Sequence, residues 1–179
     1  PPAPQRAAQR ARRRVTAVPQ PPVRAYVGLG ANLGDSAATL RQVLAQLEAT
    51  PGISGVTASP FYRSAPVDAT GPDFINAVAA VDTVLAPLAL LDVLQALEHE
   101  HGRQRPYRNA PRTLDLDLLL HGDAQLDHDR LILPHPRLHL RAFVLLPLRD
   151  LAPDLSVHGK PLDAWIGAIH DQPIERLAG

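Results

Sequence analysis

The stretch TLDLDLLLH, residues 113–121, alternates leucine with aspartate in its first half. Successive side chains of a β-strand point to opposite faces of the sheet. A strand here would therefore place the leucines at 114, 116 and 118 on one face and Asp115 and Asp117 on the other. The two aspartate Cα atoms would lie about 6.6–7 Å apart, which is two strand rises.

Two bare carboxylates on one face repel each other. At about 6.5 Å and an effective dielectric constant of about 20, the repulsion is roughly 2.5 kcal/mol. Divalent cations would remove it, and hard oxygen ligands suit magnesium. The spacing alone leaves open a second interpretation, in which the two acids lie on a solvated polar face.

Cationic side chains flank the aspartate pair on both sides in the sequence. They are Arg103, Arg105, Arg108 and Arg112 before it, and Arg130, His135 and Arg141 after it. Arginine guanidinium groups bind phosphate oxygens two at a time. Arginines beside a magnesium-binding pair indicate a polyphosphate ligand, because the cation bridges phosphate oxygens and the arginines neutralise the remaining charge. A solvated run of charges is the alternative for the arginine-rich loop.

Composition excludes several classes of protein. The 179 residues are 45% hydrophobic and 20% charged, typical of one globular domain. No apolar run approaches the roughly 18 residues that a membrane span needs, so we expect no membrane association. Cysteine is absent, which excludes disulfides and thiolate sites and favours the cytoplasm. Lys160 is the only lysine and lies in a His-Gly-Lys-Pro sequence, so a P-loop is excluded.

Residues 1–22 differ from the rest. They hold six prolines and five arginines but no acid, so we predict a disordered extension before a folded domain at 23–179. A transit peptide or an RNA-contacting arm are the alternatives. The remainder carries 13 basic and 18 acidic side chains, a net charge of −5. That balance argues against nucleic acid as a partner.

Hydrophobic periodicity predicts strands at 24–30, 56–65, 74–85, 113–121 and 130–133. Helices are predicted from a cap at Asp35 or Ser36 to about residue 50, and from Pro87 to Gly102. The tail after residue 138 mixes short helices with proline breaks. The order β-α-β-β-α-β predicts an α+β ferredoxin-like sandwich with short C-terminal additions. Gly28 and Gly30 begin a dinucleotide fingerprint, but position 33 is not glycine and Gly34 comes one place late, so the cluster of Gly28, Gly30 and Gly34 is interpreted as tight-turn geometry at the end of the first strand.

Aromatic residues concentrate in one region. They make up 4% of the chain, yet Phe61, Tyr62 and Phe74 fall within fourteen residues. A flat heterocycle needs rings to stack on and an amide to read its edge. Asn76 could supply that amide, although the rings could equally be core residues.

Several short sequences occur together in one order. They are GLGANLG at 28–34, FYRS at 61–64, FINA at 74–77, Glu98 with GRQR at 102–105, APRTLDLDLLL at 110–120, LPHP at 133–136 and RAF at 141–143. With them the chain, from about residue 24 to 153, resembles the 6-hydroxymethyl-7,8-dihydropterin pyrophosphokinases of the folate pathway. The Pro-Arg-Thr-Leu-Asp-Leu-Asp sequence is the most specific of these matches.

The resemblance implies a ferredoxin-like, ATP- and magnesium-dependent enzyme that transfers the β,γ-diphosphate of ATP to the pterin hydroxymethyl group and releases AMP. It implies a monomer that binds only small molecules. By position, Asp115 and Asp117 would hold two magnesium ions, and the catalytic groups would be these two with Arg103, Arg112 and Arg141. The implied ATP-site residues are Gln95, Glu98, Arg103, Arg105, Arg112, Leu118, Arg130, His135 and Arg141. The implied pterin-site residues are Ser64, Ala65, Val67, Phe74, Asn76 and Phe143.

The chain departs from the family pattern at a few positions. Phe74 stands where many members have tyrosine, and Asn109 where some have tryptophan. Ile132 and Pro136 replace polar or aromatic contacts of some relatives. These changes concern affinity more than the type of reaction.

Two other functions are compatible with parts of the sequence. An Asp-X-Asp pair also occurs in magnesium-dependent nucleotidyl- and glycosyltransferases. A ferredoxin-like fold with a basic N-terminal arm could be a non-enzymatic RNA-binding module, although the basic, aromatic-studded strand of such modules is missing.

Overall fold

The computed structural model describes residues 21–66, 71–102 and 114–178. Three predictions lie wholly or mostly outside them: the disordered extension, the loop around Val67, and the arginine-rich loop from 103 to 112. Residues 21 and 22 are exposed and without regular structure.

The described residues form one large sheet and two small hairpins. The strands are β1 (Val23–Ala31), β2 (Ile53–Ala58), β3 (Tyr62–Ser64), β4 (Phe74–Thr83), β5 (Asp115–His121), β6 (Leu126–His128), β7 (Leu131–Leu133), β8 (Ser156–Val157), β9 (Lys160–Pro161) and β10 (Ile174–Arg176). The six-stranded sheet has the order β10-β3-β4-β1-β5, with β2 also paired to β4. Each of its pairs is antiparallel. The hairpins are β6-β7 and β8-β9.

Among the described residues, four α-helices accompany the sheet, and sequence signals fix where the first two begin. They are α1 (Ser36–Glu48), α2 (Pro87–Gly102), α3 (Ala142–Leu151) and α4 (Leu162–Gly167). The Asp35 carboxylate accepts the Ala38 N–H at 3.1 Å, which is an N-cap. Pro87 is the first residue of α2. A backbone N–H at this position has no hydrogen-bond partner within the helix, so the missing N–H of proline costs nothing there.

Helices cover both faces of the sheet and form a separate hydrophobic core on each. One core joins alternate residues of β1, β4 and β5 to the leucines of α1 and α2, including Leu40, Leu47, Leu90 and Leu94. The opposite face of the sheet contributes Val78 and Leu119 to a second core with α3 and α4. The fold is therefore a mixed α/β arrangement around an antiparallel sheet.

The predicted strand at 56–65 was wrong in one respect, because it is two strands. Pro60 has no N–H for a sheet ladder, so regular pairing stops there. Ser59 replaces the missing pairing, since its N–H donates to the Val78 carbonyl at 2.8 Å and its Oγ accepts the Val78 N–H at 3.0 Å.

The tight-turn interpretation of the glycine cluster was wrong for Gly28 and Gly30, which belong to the predicted strand at 24–30. Both lie inside β1, opposite Val78 and Asn76 of β4. Only Gly34 of this cluster has a left-handed backbone, with φ of 63°. Gly28 and Gly30 are therefore needed for space rather than for conformation.

The C-terminal region holds more regular structure than the sequence predicts. Helix α3 continues through Pro147, whose ring is buried, instead of breaking there. β10 pairs with β3 and extends the sheet by one strand. Its three residues carry too little hydrophobic alternation to be recognised in the sequence.

Within the described parts of the chain, no helix is both long enough and apolar enough to cross a membrane.

The second core should contribute directly to stability. Leu145 on α3 is 0% exposed, so Leu145→Ala is expected to lower the free energy of unfolding by about 2–5 kcal/mol. Urea denaturation measures the change. Leu140→Ala is the matched control, because Leu140 is 54% exposed and its truncation should change stability by about 0.5 kcal/mol or less. Equal urea midpoints for Leu145→Ala and wild type would show that the second core, between the sheet and α3, does not unfold cooperatively with the rest.

Candidate active site

Strand β5 separates its side chains as the alternation predicts. Leu114, Leu116 and Leu118 are 2%, 5% and 2% exposed and belong to the core with α1 and α2. Asp115 and Asp117 are both half-buried, on the opposite face. The prediction of two aspartates aimed the same way from one extended segment is confirmed.

Strand registers place other predicted residues in line with these aspartates. Asp115 pairs with Gly30 of β1, Gly30 pairs with Asn76 of β4, and Asn76 pairs with Tyr62 of β3. Residues directly opposite each other in a ladder share a face. At a strand spacing of about 4.8 Å, Asn76 and Asp115 lie roughly 10 Å apart across a glycine. A second row joins Asp117 and Val78 across Gly28.

The two glycines form a floor without side chains between these rows. A Cβ at Gly30 would lie 3.2 Å from Asn76 Nδ2 and 3.8 Å from Phe74 Cδ1. A Cβ at Gly28 would contact Leu119 at 3.6 Å. A side chain at Gly30 would thus occupy the space that the amide of Asn76 faces.

Asn76 is held rigidly. It is 4% exposed, and its Oδ1 accepts a hydrogen bond from the Ser64 hydroxyl at 2.6 Å. This bond fixes which end of the amide faces Ser64 and directs the Nδ2 donors toward Gly30. Phe74 lies half-buried on the same face, opposite Ser64 in the ladder, and Ala65 follows β3 in an exposed position.

A bulge in β5 brings His135 to the aspartates. The register shifts between Leu118 and Leu120, which leaves Leu119 without a partner in β1. The Leu119 carbonyl instead accepts the His135 N–H at 2.9 Å. From the other side, His158 Nε2 lies 2.9 Å from the His135 carbonyl oxygen. The β8-β9 hairpin therefore helps to hold the segment that carries His135.

The His135 imidazole is a neutral donor at neutral pH. Burial lowers its pKa below the usual 6.5, and the nearby Arg141 and Arg137 lower it further against the opposing charge of Asp117. Its Nδ1 accepts the Arg137 N–H at 3.1 Å. The proton of the neutral ring is therefore on Nε2, which can donate to an anionic ligand.

Arg141 and Phe143 reach the same surface from the start of α3. Arg141 Nη1 lies 4.0 Å from Asp117 Oδ2, and both side chains are partly exposed. Its guanidinium also lies 5.6 Å from the centre of the Phe143 ring. Ion pairs this exposed are worth about 0.2–1 kcal/mol, so Arg141 can exchange Asp117 for a phosphate at little cost.

The predicted ATP-site residues on α2 lie beside the edge strand β5. Glu98 Oε2 accepts the Leu116 N–H at 3.2 Å. Arg130 Nη2 donates to Asp92 Oδ1 at 2.6 Å and to Gln95 Oε1 at 2.9 Å. The structure thus brings Gln95 and Arg130 together on one exposed surface.

Leu118 differs from the other predicted ATP-site residues. Its side chain is buried in the core with α1 and α2, so only its backbone can face a ligand. Arg103, Arg105, Arg112 and Val67 lie outside the described residues.

One polar cluster beside the site escaped the sequence analysis. The Tyr62 hydroxyl donates to the Asp150 carboxylate, and Arg176 Nη2 binds Asp150 Oδ1 at 2.8 Å. Burial raises the pKa of Tyr62 to about 12, and the Asp150 carboxylate contributes. These residues come from β3, α3 and β10, and no sequence spacing links them.

The residues fit magnesium. Magnesium in phosphate-transfer sites is held by one or two carboxylates and by substrate phosphates, rather than by a cage of protein ligands. Asp115 and Asp117 supply two half-buried carboxylates beside Gly28 and Gly30, which carry no side chains. Within residues 21–66, 71–102 and 114–178, no group of three or more histidine, cysteine, aspartate or glutamate residues is placed to hold a metal ion.

Comparison with known proteins agrees with this geometry. The family model described as 7,8-dihydro-6-hydroxymethylpterin-pyrophosphokinase (HPPK) matches residues 26–153. The chain belongs to this family. It is therefore an enzyme of the pyrophosphokinase class, and the predicted resemblance is confirmed.

The matches to two named relatives cover nearly the whole length of those relatives. The 2-amino-4-hydroxy-6-hydroxymethyldihydropteridine pyrophosphokinase of Pseudomonas aeruginosa is 49% identical over 158 residues, which is 87% of this chain and 98% of that protein. The enzyme of the same name from Methylorubrum extorquens is 44% identical over 155 residues, 86% of this chain and 98% of that protein. The nucleotidyl- or glycosyltransferase and RNA-binding alternatives are not favoured by these matches.

Solved structures share the fold. The Plasmodium falciparum HPPK-DHPS wild type with SDX-DHP has a TM-score of 0.63 at 14% identity, over 82% of this chain and 44% of that one. This chain thus spans less than half of that protein. At this identity the match concerns the fold alone.

Tyr62→Phe tests the cluster beside the site. Removing the hydroxyl is expected to lower the free energy of unfolding by about 1–2 kcal/mol. The raised pKa means that the protonated phenol favours the folded state, so this contribution is complete below the ordinary value of 10.0 and disappears as the pH rises through about 12. Urea denaturation across that interval should show the wild type and the variant converging. Tyr26→Phe is the control. If the difference in the free energy of unfolding between Tyr62→Phe and wild type stayed constant over this pH interval, the role of the Tyr62 hydroxyl would be contradicted.

Proposed function

We propose that this chain transfers the β,γ-diphosphate of ATP to the hydroxymethyl oxygen of 6-hydroxymethyl-7,8-dihydropterin, giving the pterin diphosphate and AMP. One observation carries the proposal. A buried, oriented amide at Asn76 and an aspartate at 115 lie in one row of the sheet, separated only by the side-chain-free Gly30. The row offers an amide for a flat heterocycle at one end and, at the other, the Asp115 carboxylate, which lies two residues from Asp117 and could bind a phosphate-bound cation.

The pterin end would use Asn76 as its reading group. With its oxygen bound to Ser64, the amide presents N–H donors, which can meet the acceptors on a pterin ring edge. Phe74 and Phe143 are the aromatic rings available for stacking. Ala65 and Val67 complete the set assigned to this end.

The phosphate end would use cationic and donor groups. Arg141 and the neutral His135 lie beside Asp117. Gln95, Glu98 and Arg130 line the edge next to β5, and Arg103, Arg105 and Arg112 would approach from the loop that precedes it. Phosphoryl-type transfer depends mainly on positioning and electrostatic stabilisation, which this set supplies.

Asp115 and Asp117 would hold two magnesium ions. When bound, magnesium neutralises charge on the phosphate oxygens and orients them for displacement. The side chains of the protein do the rest. Arg141 releases Asp117 and binds phosphate, and the glycine floor lets the pterin hydroxymethyl group approach the triphosphate.

The proposed reaction is a single displacement at the β-phosphorus of ATP. The pterin hydroxymethyl oxygen forms a bond to the β-phosphorus, and the bond from that phosphorus to the oxygen bridging it to the α-phosphorus breaks. AMP departs with the bridging oxygen, and the hydroxyl proton leaves to solvent. Holding both substrates in line supplies much of the rate enhancement.

We also propose that the fold is ferredoxin-like. Counting β2 and β3 as one interrupted strand, the sheet order β5-β1-β4-β3 and the helices α1 and α2 on one face support it. The domain would span residues 23–179 after an extension at 1–22. It would act as a monomer in the cytoplasm, and the absence of cysteine supports the choice of compartment.

Asp117→Asn is the direct test of the phosphate end. The amide keeps the size of the carboxylate but loses its charge, so magnesium-dependent AMP release should fall on the order of a hundredfold or more. Chromatography of AMP and pterin diphosphate measures it, with thermal unfolding as the check on folding. Asp123→Asn, at an exposed turn after β5, is the matched control. Near-normal turnover by Asp117→Asn would refute the metal role.

Asn76→Ala tests the pterin end. Loss of the reading amide should raise the KM for the pterin about tenfold or more, while the KM for ATP stays nearly unchanged. Steady-state kinetics with each substrate varied separates the two constants. Ser64→Ala keeps the amide but removes its anchor, so its effect should be smaller and on the same constant. Equal increases in both constants would contradict the assignment of Asn76.

A further inference from the structure

Arg141 has a supporting residue that lies thirty-one positions later in the chain. Gln172 Oε1 accepts the Ala142 N–H at 2.8 Å, and Gln172 Nε2 donates to the Leu140 carbonyl at 2.8 Å. Both neighbours of Arg141 are thus bound by one side-chain amide. Only one orientation of the amide satisfies a donor and an acceptor together, so the geometry is specific.

The start of α3 has no cap of its own. Arg141 is the N-cap residue, with extended backbone angles of −122° and 116°, and its side chain makes no capping hydrogen bond. An arginine cannot accept the N–H groups at a helix start, because its guanidinium has only donors. Gln172 supplies the missing acceptor, which leaves the Arg141 side chain available to the site.

Gln172 is itself held in place. Two residues later the chain enters β10, where Ile174 pairs with Ser64 of β3. Arg176 binds Asp150 of α3 at 2.8 Å, and the Leu177 N–H donates to the Phe61 carbonyl at 2.8 Å. The C-terminal strand therefore connects the strand of the pterin end to the helix start of the phosphate end.

We infer that Gln172 is a positioning residue that fixes the Arg141 guanidinium beside Asp117, where the bound triphosphate would lie. The inference rests on the proposed function for the role of Arg141. Gln172 does not touch the reacting atoms, so it acts through the backbone on either side of Arg141. A displacement of about 1 Å in such a group can lower turnover by one to two orders of magnitude.

Gln172→Ala should lower kcat on the order of tenfold and leave the KM for the pterin unchanged. The thermal midpoint should fall by only about 3 °C, since one cap is lost. In an Arg141→Ala background the same change should alter kcat by about twofold or less, because the group it positions is gone. Gln172→Glu keeps the acceptor for Ala142 but not the donor to Leu140, so it should fold like wild type and still turn over slowly. Gln42→Ala, an exposed glutamine on α1, is the control.

A crystal structure of Gln172→Ala decides the positioning step without any assay. It should show the Arg141 guanidinium displaced from its 4.0 Å approach to Asp117. An unmoved guanidinium, or an equal loss of kcat with and without Arg141, overturns the inference. A wild-type chain that releases no AMP contradicts the proposed function instead, and the crystal structure still tests Gln172.

Discussion

The site depends on one strand whose two faces meet opposite environments. The leucines of β5 are buried against α1 and α2, and this burial fixes the register of the strand. A slip of one residue would place Asp115 and Asp117 in that core and the leucines on the opposite face of the sheet. Burying two charged carboxylates without partners is far more costly than the gain from any alternative pairing. Hydrophobic burial on one side therefore holds the carboxylates in place on the other.

Glycine shapes the part of the sheet face that carries Asp115 and Asp117. Gly28 and Gly30 lie between strands that would normally cover such a face with side chains, and a Cβ at Gly30 would come within 3.2 Å of Asn76. Glycine weakens a strand interior by its entropy and its lack of packing. The fold accepts this weakness where, in the proposed function, the pterin would lie between the Asn76 amide and the two carboxylates. Arg141, at the start of α3, reaches the same surface beside Asp117.

Much of this arrangement could be predicted from local patterns. Strict alternation fixed the faces of β5, and Asp35 and Pro87 marked the helix starts. The split of the predicted strand at Pro60 could have been read from its missing N–H, but the role of Ser59 could not. The contacts of Gln172 with Leu140 and Ala142 join segments far apart in sequence. No periodicity encodes such contacts, because they depend on how the C-terminal strand packs.

A crystal structure of the chain soaked with magnesium, a non-hydrolysable ATP analogue and 6-hydroxymethylpterin tests whether the two aspartates bind a nucleotide through cations. It should show cations bound to Asp115 and Asp117, the triphosphate between them and Arg141, and the pterin over Gly30 with its edge against Asn76. Nucleotide bound elsewhere, with both aspartates in solvent and no ion between them, would contradict it.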